Sequence, residues 1–406
     1  MIPGLNPYGI GEASRITMQR EGASLKNATR PGRPAERFLK WVWDKKGGKA
    51  DLVLFPLTLF AWMYGFVCRL RPFLYEKGFL PRKRADAFIV SVGNLTVGGT
   101  GKTPFTIYLA ETWREKGYSV GIVSRGYGRN DKRSVVLVSD GEKMLEAASA
   151  AGDEPYLMAE RLKGIPVVVS ADRFKGCQWL IRHFKMDLIL LDDAFQHVPI
   201  HRDMNLLLID AMNPYGNHRL LPRGPLREPL SAARRADLVI FTRSEVGWDL
   251  SETIREIERS GCRTLRCTFR PTELIHLNTG VHRPVSDLKG RPILCFCGIG
   301  NPEAFVKLLN RLGAQIKEEI FFGDHHPYQA ADLLRIKERG AGVGVKIAIT
   351  TEKDAVKIKP FLPVDMEIWA LRVDIAFLED SKEWESLLFD LEIVGKDQLP
   401  PKGSAN

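Results

Sequence analysis

An α/β fold with a mainly parallel sheet covered on both faces is the class this 406-residue sequence predicts, on three observations. The stretch Ile89 to Pro104, IVSVGNLTVGGTGKTP, runs from an apolar β-branched segment through a glycine-rich turn into a helix start. Short apolar runs then recur with helical stretches between them, the spacing of strand–helix–strand units whose crossovers make neighbouring strands parallel. A second, shorter set of such runs follows beyond Gly290. The length suffices for two or three domains, and 44% apolar with 27% charged residues is ordinary globular composition.

Taken in order, residues 1–50 hold ten Lys/Arg against four Asp/Glu, +6 of the net +10. Residues 1–35 read as a poorly ordered extension without an apolar leader near their start. The asymmetry calls for an anionic surface, nucleic acid or lipid headgroups. The next stretch decides for lipid: Leu52 to Cys68 is seventeen uncharged residues, flanked by Lys45, Lys46 and Lys49 and by Arg69 and Arg71, with Trp41, Trp43, Trp62 and Tyr64 as interfacial aromatics. It is shorter than the roughly 20 residues a span needs. Pro56 interrupts its first turns, and cations at both ends set no inside and outside. The expectation is a helix dipping into or lying on one leaflet, with a full span and a buried soluble helix as alternatives.

After the basic linker Pro81–Arg84, strands are predicted at Ile89–Val92, Ser119–Val123, Val135–Val138, Pro166–Val169, Asp187–Leu191, Asn205–Ile209 and Leu238–Phe241. Helices are predicted at Thr103–Lys116 and Pro155–Lys163. The second set covers Ile293–Cys297, Glu319–Phe322, Ile347–Thr350 and Glu367–Leu371. Turn residues at Asn278–Gly290 place the boundary, giving an extension (1–50), an apolar helix and linker (51–84), a first domain (85–280) and a second α/β domain (281–406). Six cysteines without a C-x-x-C pair indicate free buried thiols in a reducing compartment.

The glycine-rich stretch carries the first chemistry. Backbone N–H groups of the turn and helix start point at an anion, Lys102 adds a full charge, and the Thr103 hydroxyl can ligate Mg²⁺. In G-x-x-x-x-G-K-[ST] the first glycine would fall at position 96, which is Thr96, so the Gly98-Gly99 pair has to supply the flexibility. The nucleotide-binding set is therefore Thr96, Val97, Gly98, Gly99, Thr100, Gly101, Lys102 and Thr103, in a P-loop NTPase-like α/β/α sandwich.

Met186–Asp193, MDLILLDD, is a buried strand ending in two carboxylates, where such folds hold the Mg²⁺ that bridges nucleotide phosphates; the alternative is that Asp192 and Asp193 cap a turn. Asp210, ending the next strand, is a weaker candidate. In Gly152-Asp153-Glu154-Pro155, Asp153 is either an N-cap or a general base for an attacking hydroxyl. In Asp324-His325-His326-Pro327 a histidine can orient such a carboxylate, although two adjacent histidines make a poor metal site. Arg125, Arg173, Arg223 and Arg227 are candidate phosphate clamps, and Glu228 either ligates Mg²⁺ or pairs with its neighbours. Cys297–Pro302 mimics a nucleotide turn but reads as helix initiation by Asn301 and Pro302, and Thr351–Asp354 reads as a capping box.

Together VGNLTVGGTGKTP, VSRGYG, GDEP, DDAFQH, LPRGPLRE, the DHH loop and TEKDAVK, in this order from about Leu52 to Lys357, resemble the tetraacyldisaccharide 4'-kinase family, the lipid A 4'-kinases of Gram-negative bacteria. The resemblance implies two α/β/α units with a cleft between them and an N-terminal helix seated on the cytoplasmic leaflet of the inner membrane. It implies ATP and Mg²⁺ on Lys102 and Thr103, an acidic metal side of Asp192, Asp193 and Glu228, and Asp153 as base assisted by His325. Arg173 and Arg227 would steady phosphates, with Gln196 and His197 beside the acidic pair. The implied reaction moves the γ-phosphoryl of ATP to the 4'-hydroxyl of an acylated glucosamine disaccharide 1-phosphate. The family also tolerates the missing first glycine, while the basic extension before Leu52 has no counterpart in its pattern. A membrane-attached ATPase or GTPase switch is the alternative, although no guanine-reading N-K-x-D follows Leu238–Phe241, and nothing patterned supports a nucleic-acid partner.

Overall fold

The computed structural model describes residues 34–44, 53–245, 247–259 and 261–389. The extension read over residues 1–35 lies outside them, apart from Pro34 and Ala35, which open a helix. The elements are α1 (Pro34–Asp44), α2 (Phe55–Glu76), β1 (Phe88–Asn94), α3 (Lys102–Glu115), β2 (Val120–Ser124), β3 (Val136–Ser139), α4 (Ala148–Ala151), α5 (Asp153–Arg161), β4 (Val167–Val169), α6 (Arg173–Phe184), β5 (Leu188–Leu191), β6 (Met204–Asp210), β7 (Leu238–Thr242) and α7 (Ser251–Glu258). Then follow β8 (Arg263–His276), β9 (His282–Pro284), β10 (Pro292–Cys297), α8 (Pro302–Arg311), β11 (Gln315–Phe321), α9 (Ala330–Gly342), β12 (Ile347–Thr351), α10 (Glu352–Ile358), β13 (Glu367–Phe377) and α11 (Ser381–Phe389).

The strands of the first unit bury both faces, which is why they read as continuous apolar runs rather than alternating ones. Along β1, Phe88, Val90 and Val92 pack with Phe105 and Trp113 of α3 and Met158 of α5, while Ile89 points to the opposite core with Cys177 and Leu180 of α6. Helices on both faces of a mainly parallel sheet make the expected α/β/α sandwich. The order is β7-β6-β1-β5-β2-β4-β3, parallel except for the edge strand β3, which runs antiparallel to β4. The second unit repeats the scheme in β11-β10-β12-β13, with α9 and α10 on one face and α8 on the other.

One long strand joins the two. The first residues of β8, Arg263–Arg266, pair in parallel with β7, and Cys267–His276 pair antiparallel with β13, so a single thirteen-stranded sheet runs through both units. No sequence run announced β8, because only three of its fourteen positions are buried and charged residues are spread along it. The change of partner falls inside β8, ahead of the turn-rich stretch 278–290. All six cysteines are free, five of them buried.

Helix α2 extends further than the apolar run, through Arg69, Arg71 and Pro72 to Glu76. Pro56 sits in its first turn, where the missing N–H costs nothing, so the proline starts the helix rather than interrupting it. Ala61 and Gly65 are its buried residues, whereas Phe55, Phe60, Trp62, Met63, Phe66 and Val67 stand more than half exposed. That exposure contradicts the buried-helix alternative, and among the described residues no helix is long and apolar enough to cross a membrane.

Candidate active site

The phosphate loop hangs between β1 and α3 and is braced along its length. Its first half, Leu95–Val97, is extended and pairs with the segment 225–227: Val97 N donates to Pro225 O (2.8 Å), Arg227 N donates to Leu95 O (2.7 Å), and Thr96 bridges Leu226. Thr96 therefore needs no left-handed backbone, and a β-branched residue suits its paired position. The turn falls to Gly98 (φ +120°) and Gly101 (φ +84°), the N-cap of α3. Asn94 Nδ2 holds Thr96 O (2.8 Å), Thr242 Oγ1 holds Thr100 O (2.8 Å), and Arg243, paired with Asp210, donates to Gly99 O. Asp210 thus braces the loop from beneath.

An ideal Cβ at Gly101 would lie 2.1 Å from Phe269 Cζ of β8, and the φ there already disfavours L side chains. Gly101→Ala is expected to cost about 1–3 kcal/mol in chemical denaturation and to weaken ATP binding. Unchanged stability would show that the loop takes another shape.

Asp192 and Asp193 follow β5 directly. Asp192 is 1% exposed and accepts from Ser124 Oγ (3.0 Å) and Thr106 Oγ1 (3.5 Å). Asp193, at φ +47°, meets Lys102 Nζ (3.5 Å) and receives Arg227 Nη1 on both oxygens (3.0 and 3.1 Å). The two carboxyls are driven apart electrostatically. Burial, then Glu154 and Asp193, push Asp192 up to about 7, whereas Lys102 and Arg227 outweigh burial and pull Asp193 down to about 2.

The folded-state value of Asp192 lies above its ordinary 3.8, so between the two the folded protein keeps a proton that the unfolded chain has released. Stability from this group is therefore present at low pH and falls as pH rises through about 4 to 7. Asp192→Asn is expected to flatten that fall, read as the Tm difference between about pH 5 and about pH 8. A variant with the wild-type slope would show Asp192 ionised throughout.

Across the cleft, Asp153 is not the N-cap of α5. Gly152 takes that position at φ +93°, leaving the Asp153 side chain in the first turn and pointed at the second unit. His325 Nδ1 lies 3.4 Å from Asp153 Oδ2, and Lys357 Nζ lies 3.8 Å from the same oxygen. His325 Nε2 faces Lys353 Nζ at 3.1 Å. An ammonium only donates, so Nε2 accepts and Nδ1 carries the proton toward Asp153; the tautomer follows from the neighbours. The two histidines diverge: His325 turns into the cleft at φ +56°, while His326 bonds Asp332 (3.0 Å) and stacks on Phe322 (4.5 Å).

Two residues of this network escaped sequence reasoning. Lys353 also pairs with Glu154 (3.0 Å), and Lys353 and Lys102 hold the Glu154 carboxylate below its ordinary range despite burial. Glu154 in turn feeds the charge at Asp192, so the Asp153 end and the Lys102 end form one electrostatic cluster. A signal existed: Lys353 lies in the first turn of α10, where the helix dipole disfavours a cation. Thr351 Oγ1 does accept from Asp354 N (3.1 Å) as an N-cap, but the Asp354 carboxylate accepts from Thr351 Oγ1 (2.7 Å) and Gly298 N (3.0 Å) instead of closing a box on the N-cap backbone N–H. Asn301 caps α8 with Pro302 at its start, as expected.

Three predicted placements differ. Arg173 is 2% exposed and donates to the carbonyls of Ser170, Ala171, Asp192 and Asp193 (3.2–3.4 Å), so it scaffolds the acidic turn and presents no free face to a phosphate. The sequence shows an arginine beside an N-cap, not that its guanidinium folds back. Glu228 is buried and held by Arg235 and by Gln196 Nε2 (3.3 Å), the neighbour-pairing alternative. Among the described residues no three His, Cys, Asp or Glu side chains converge for a metal. Arg223 is buried against α1, donating to Val42 O (3.1 Å). Arg125 stays exposed.

A loop that cradles phosphates, a cation and two carboxylates at its end, and a histidine-oriented carboxylate opposite can bind a nucleotide and deprotonate an acceptor hydroxyl. The comparisons agree. Residues 53–392 match the family described as tetraacyldisaccharide-1-P 4'-kinase. A tetraacyldisaccharide 4'-kinase of Desulfatibacillum aliphaticivorans is 39% identical over 340 residues, covering 82% of this chain and 91% of that one. One of Syntrophus aciditrophicus is 37% identical over 362 residues, 86% and 96% of the two chains. The crystal structure of the "apo" form of LpxK from Aquifex aeolicus in complex with ATP is similar at a TM-score of 0.67 and 33% identity, covering 84% of this chain and 99% of that one. A family match over most of the chain, with relatives this similar over nearly their whole length, makes this chain a member of the tetraacyldisaccharide-1-P 4'-kinase family.

Proposed function

We propose that this chain, an ATP-dependent tetraacyldisaccharide 4'-kinase, carries out its transfer between the loop 96–103 and Asp153, on an acceptor held at the cytoplasmic leaflet of a bacterial inner membrane. The observation that carries the residue roles is the Asp153–His325–Lys353–Glu154 chain, which spans both units and couples to Lys102 and Asp192. Asp153 takes the proton as the 4'-oxygen of the acylated glucosamine disaccharide 1-phosphate attacks the γ-phosphorus. The bond to the β–γ bridging oxygen breaks, and ADP leaves. His325 aims the carboxylate; Lys102 and the N–H groups of Gly98–Thr103 stabilise charge on the transferring group. Lys102 and Arg227 keep Asp193 ionised against its burial, and Arg173 fixes the turn that presents the pair.

Mg²⁺ fits this donor set: two hard carboxylates, one of them pushed up to about 7 by burial and then by its acidic neighbours, beside a helix start bearing the Thr103 hydroxyl. Asp192, Asp193 and Thr103 would hold it, and it would supply neutralising charge to the phosphate oxygens.

Two features support the membrane setting: the exposed aromatic face of α2, and Arg69 and Arg71 within it. The segment is monotopic in this reading, since α2 has the length of a span but, with Arg69 and Arg71 in it, is not apolar enough to cross. The excess positive charge then faces headgroups, and no nucleic acid is involved. Incubation with γ-labelled ATP and the acylated disaccharide 1-phosphate is expected to label the lipid. Label released only as inorganic phosphate would assign a hydrolytic switch instead.

A further inference from the structure

Helix α1 lies outside the family-matched stretch 53–392, so the family description does not account for it. Its last turn is docked: Val42 is fully buried, its carbonyl accepts from Arg223 Nη1 (3.1 Å), and Trp43 Nε1 donates to Pro222 O (3.1 Å). Nearer its start, Phe38 and Trp41 stack with centroids 6.0 Å apart and remain 52% and 48% exposed.

The segment that α1 grips is also gripped by α2. A Cβ at Gly65 would lie 2.6 Å from Leu220 Cδ1, Tyr64 OH donates to Arg227 O (2.7 Å), and Cys68 Sγ contacts the same carbonyl (3.4 Å). Residues 220–228 thus carry both helices, each with exposed aromatics of its own, Phe38 and Trp41 on α1 and Trp62, 76% exposed, on α2. The connection between the helices contains Lys45, Lys46 and Lys49 against Asp51, a net +2. That sign attracts anionic headgroups and repels a second copy of the same segment. Two half-exposed aromatics also fall far short of the roughly 1,000 Å² that a stable protein interface buries.

We propose that α1 is a second lipid-contacting helix, seating Phe38 and Trp41 in an anionic phospholipid surface beside α2. This rests on the membrane reading above. It gives the basic extension a use: a wider footing on the bilayer, anchored to the segment that delivers Arg227 to Asp193.

The test is co-sedimentation of the full chain with vesicles of phosphatidylethanolamine and phosphatidylglycerol. Phe38→Glu/Trp41→Glu is expected to lower the partition coefficient about tenfold or more, while turnover on detergent-dispersed acceptor and Tm stay at wild type. Trp62→Glu/Phe66→Glu in α2 serves as the companion. As a conservative check, Trp41→Phe is expected to reduce fluorescence quenching by brominated acyl chains; unchanged quenching overturns the proposal. An α1 variant that partitions like wild type while the α2 variant is lost overturns the role of α1 and leaves the membrane reading standing. Wild-type partition by both variants overturns both. A dimer in vesicle-free solution that the α1 variant dissociates assigns the face to a second copy and overturns the proposal.

Discussion

Asp153→Ala is expected to slow phosphoryl transfer by about 10²- to 10⁴-fold while ATP still binds, the range for loss of a positioned general base. The side chain touches His325 and Lys357 and forms no part of the phosphate loop, so its removal leaves the nucleotide's contacts in place. The expected split is a collapsed kcat with the KM for ATP nearly unchanged. Asp153→Asn separates roles further: it keeps the hydrogen bond to His325 but takes no proton, so it should be as slow as the alanine variant. Near-normal turnover in either would remove Asp153 from proton transfer and turn attention to Glu154, its neighbour in the same turn.

Lys102→Ala is expected to damage both ends of the reaction. In the proposed mechanism Lys102 is the cation that faces the phosphates, and in the structure it is the partner of Asp193 at 3.5 Å. Its loss removes charge stabilisation from the transferring group, about 10²- to 10³-fold in kcat by analogy with deletion of other preorganised donors. It also removes positive charge that restrains Asp192 and Glu154, so the acidic cluster becomes harder to ionise. The KM for ATP should rise together with the fall in kcat, unlike the Asp153 variant. Steady-state kinetics over a range of ATP concentrations distinguishes the two patterns; an unchanged KM for ATP would show that Lys102 does not reach the nucleotide.

The sandwich, most of its strands and the phosphate loop were written locally. A strand buried on both faces must be continuously apolar, a turn at φ +120° and +84° must be glycine, and a cation after it must be Lys102, so short windows carry the information. Asp192 and Asp193 were legible because they end such a strand.

What only the tertiary structure decided depends on contacts far apart in sequence. Arg173 and Arg227 look alike as loop arginines, yet one folds back onto carbonyls 19 and 20 residues away and the other crosses 34 residues to a carboxylate. Glu228 was lost to Arg235 and Gln196 for the same reason. The Lys353–Glu154 pair joins residues 199 apart and exists only because β8 carries one sheet through both units and sets α10 against α5. Composition and periodicity record what each residue is and which face of its own element it occupies. Which charge meets which across a cleft is fixed by how the elements pack, because an ion pair contributes through distance and burial, and neither is a local property of the chain.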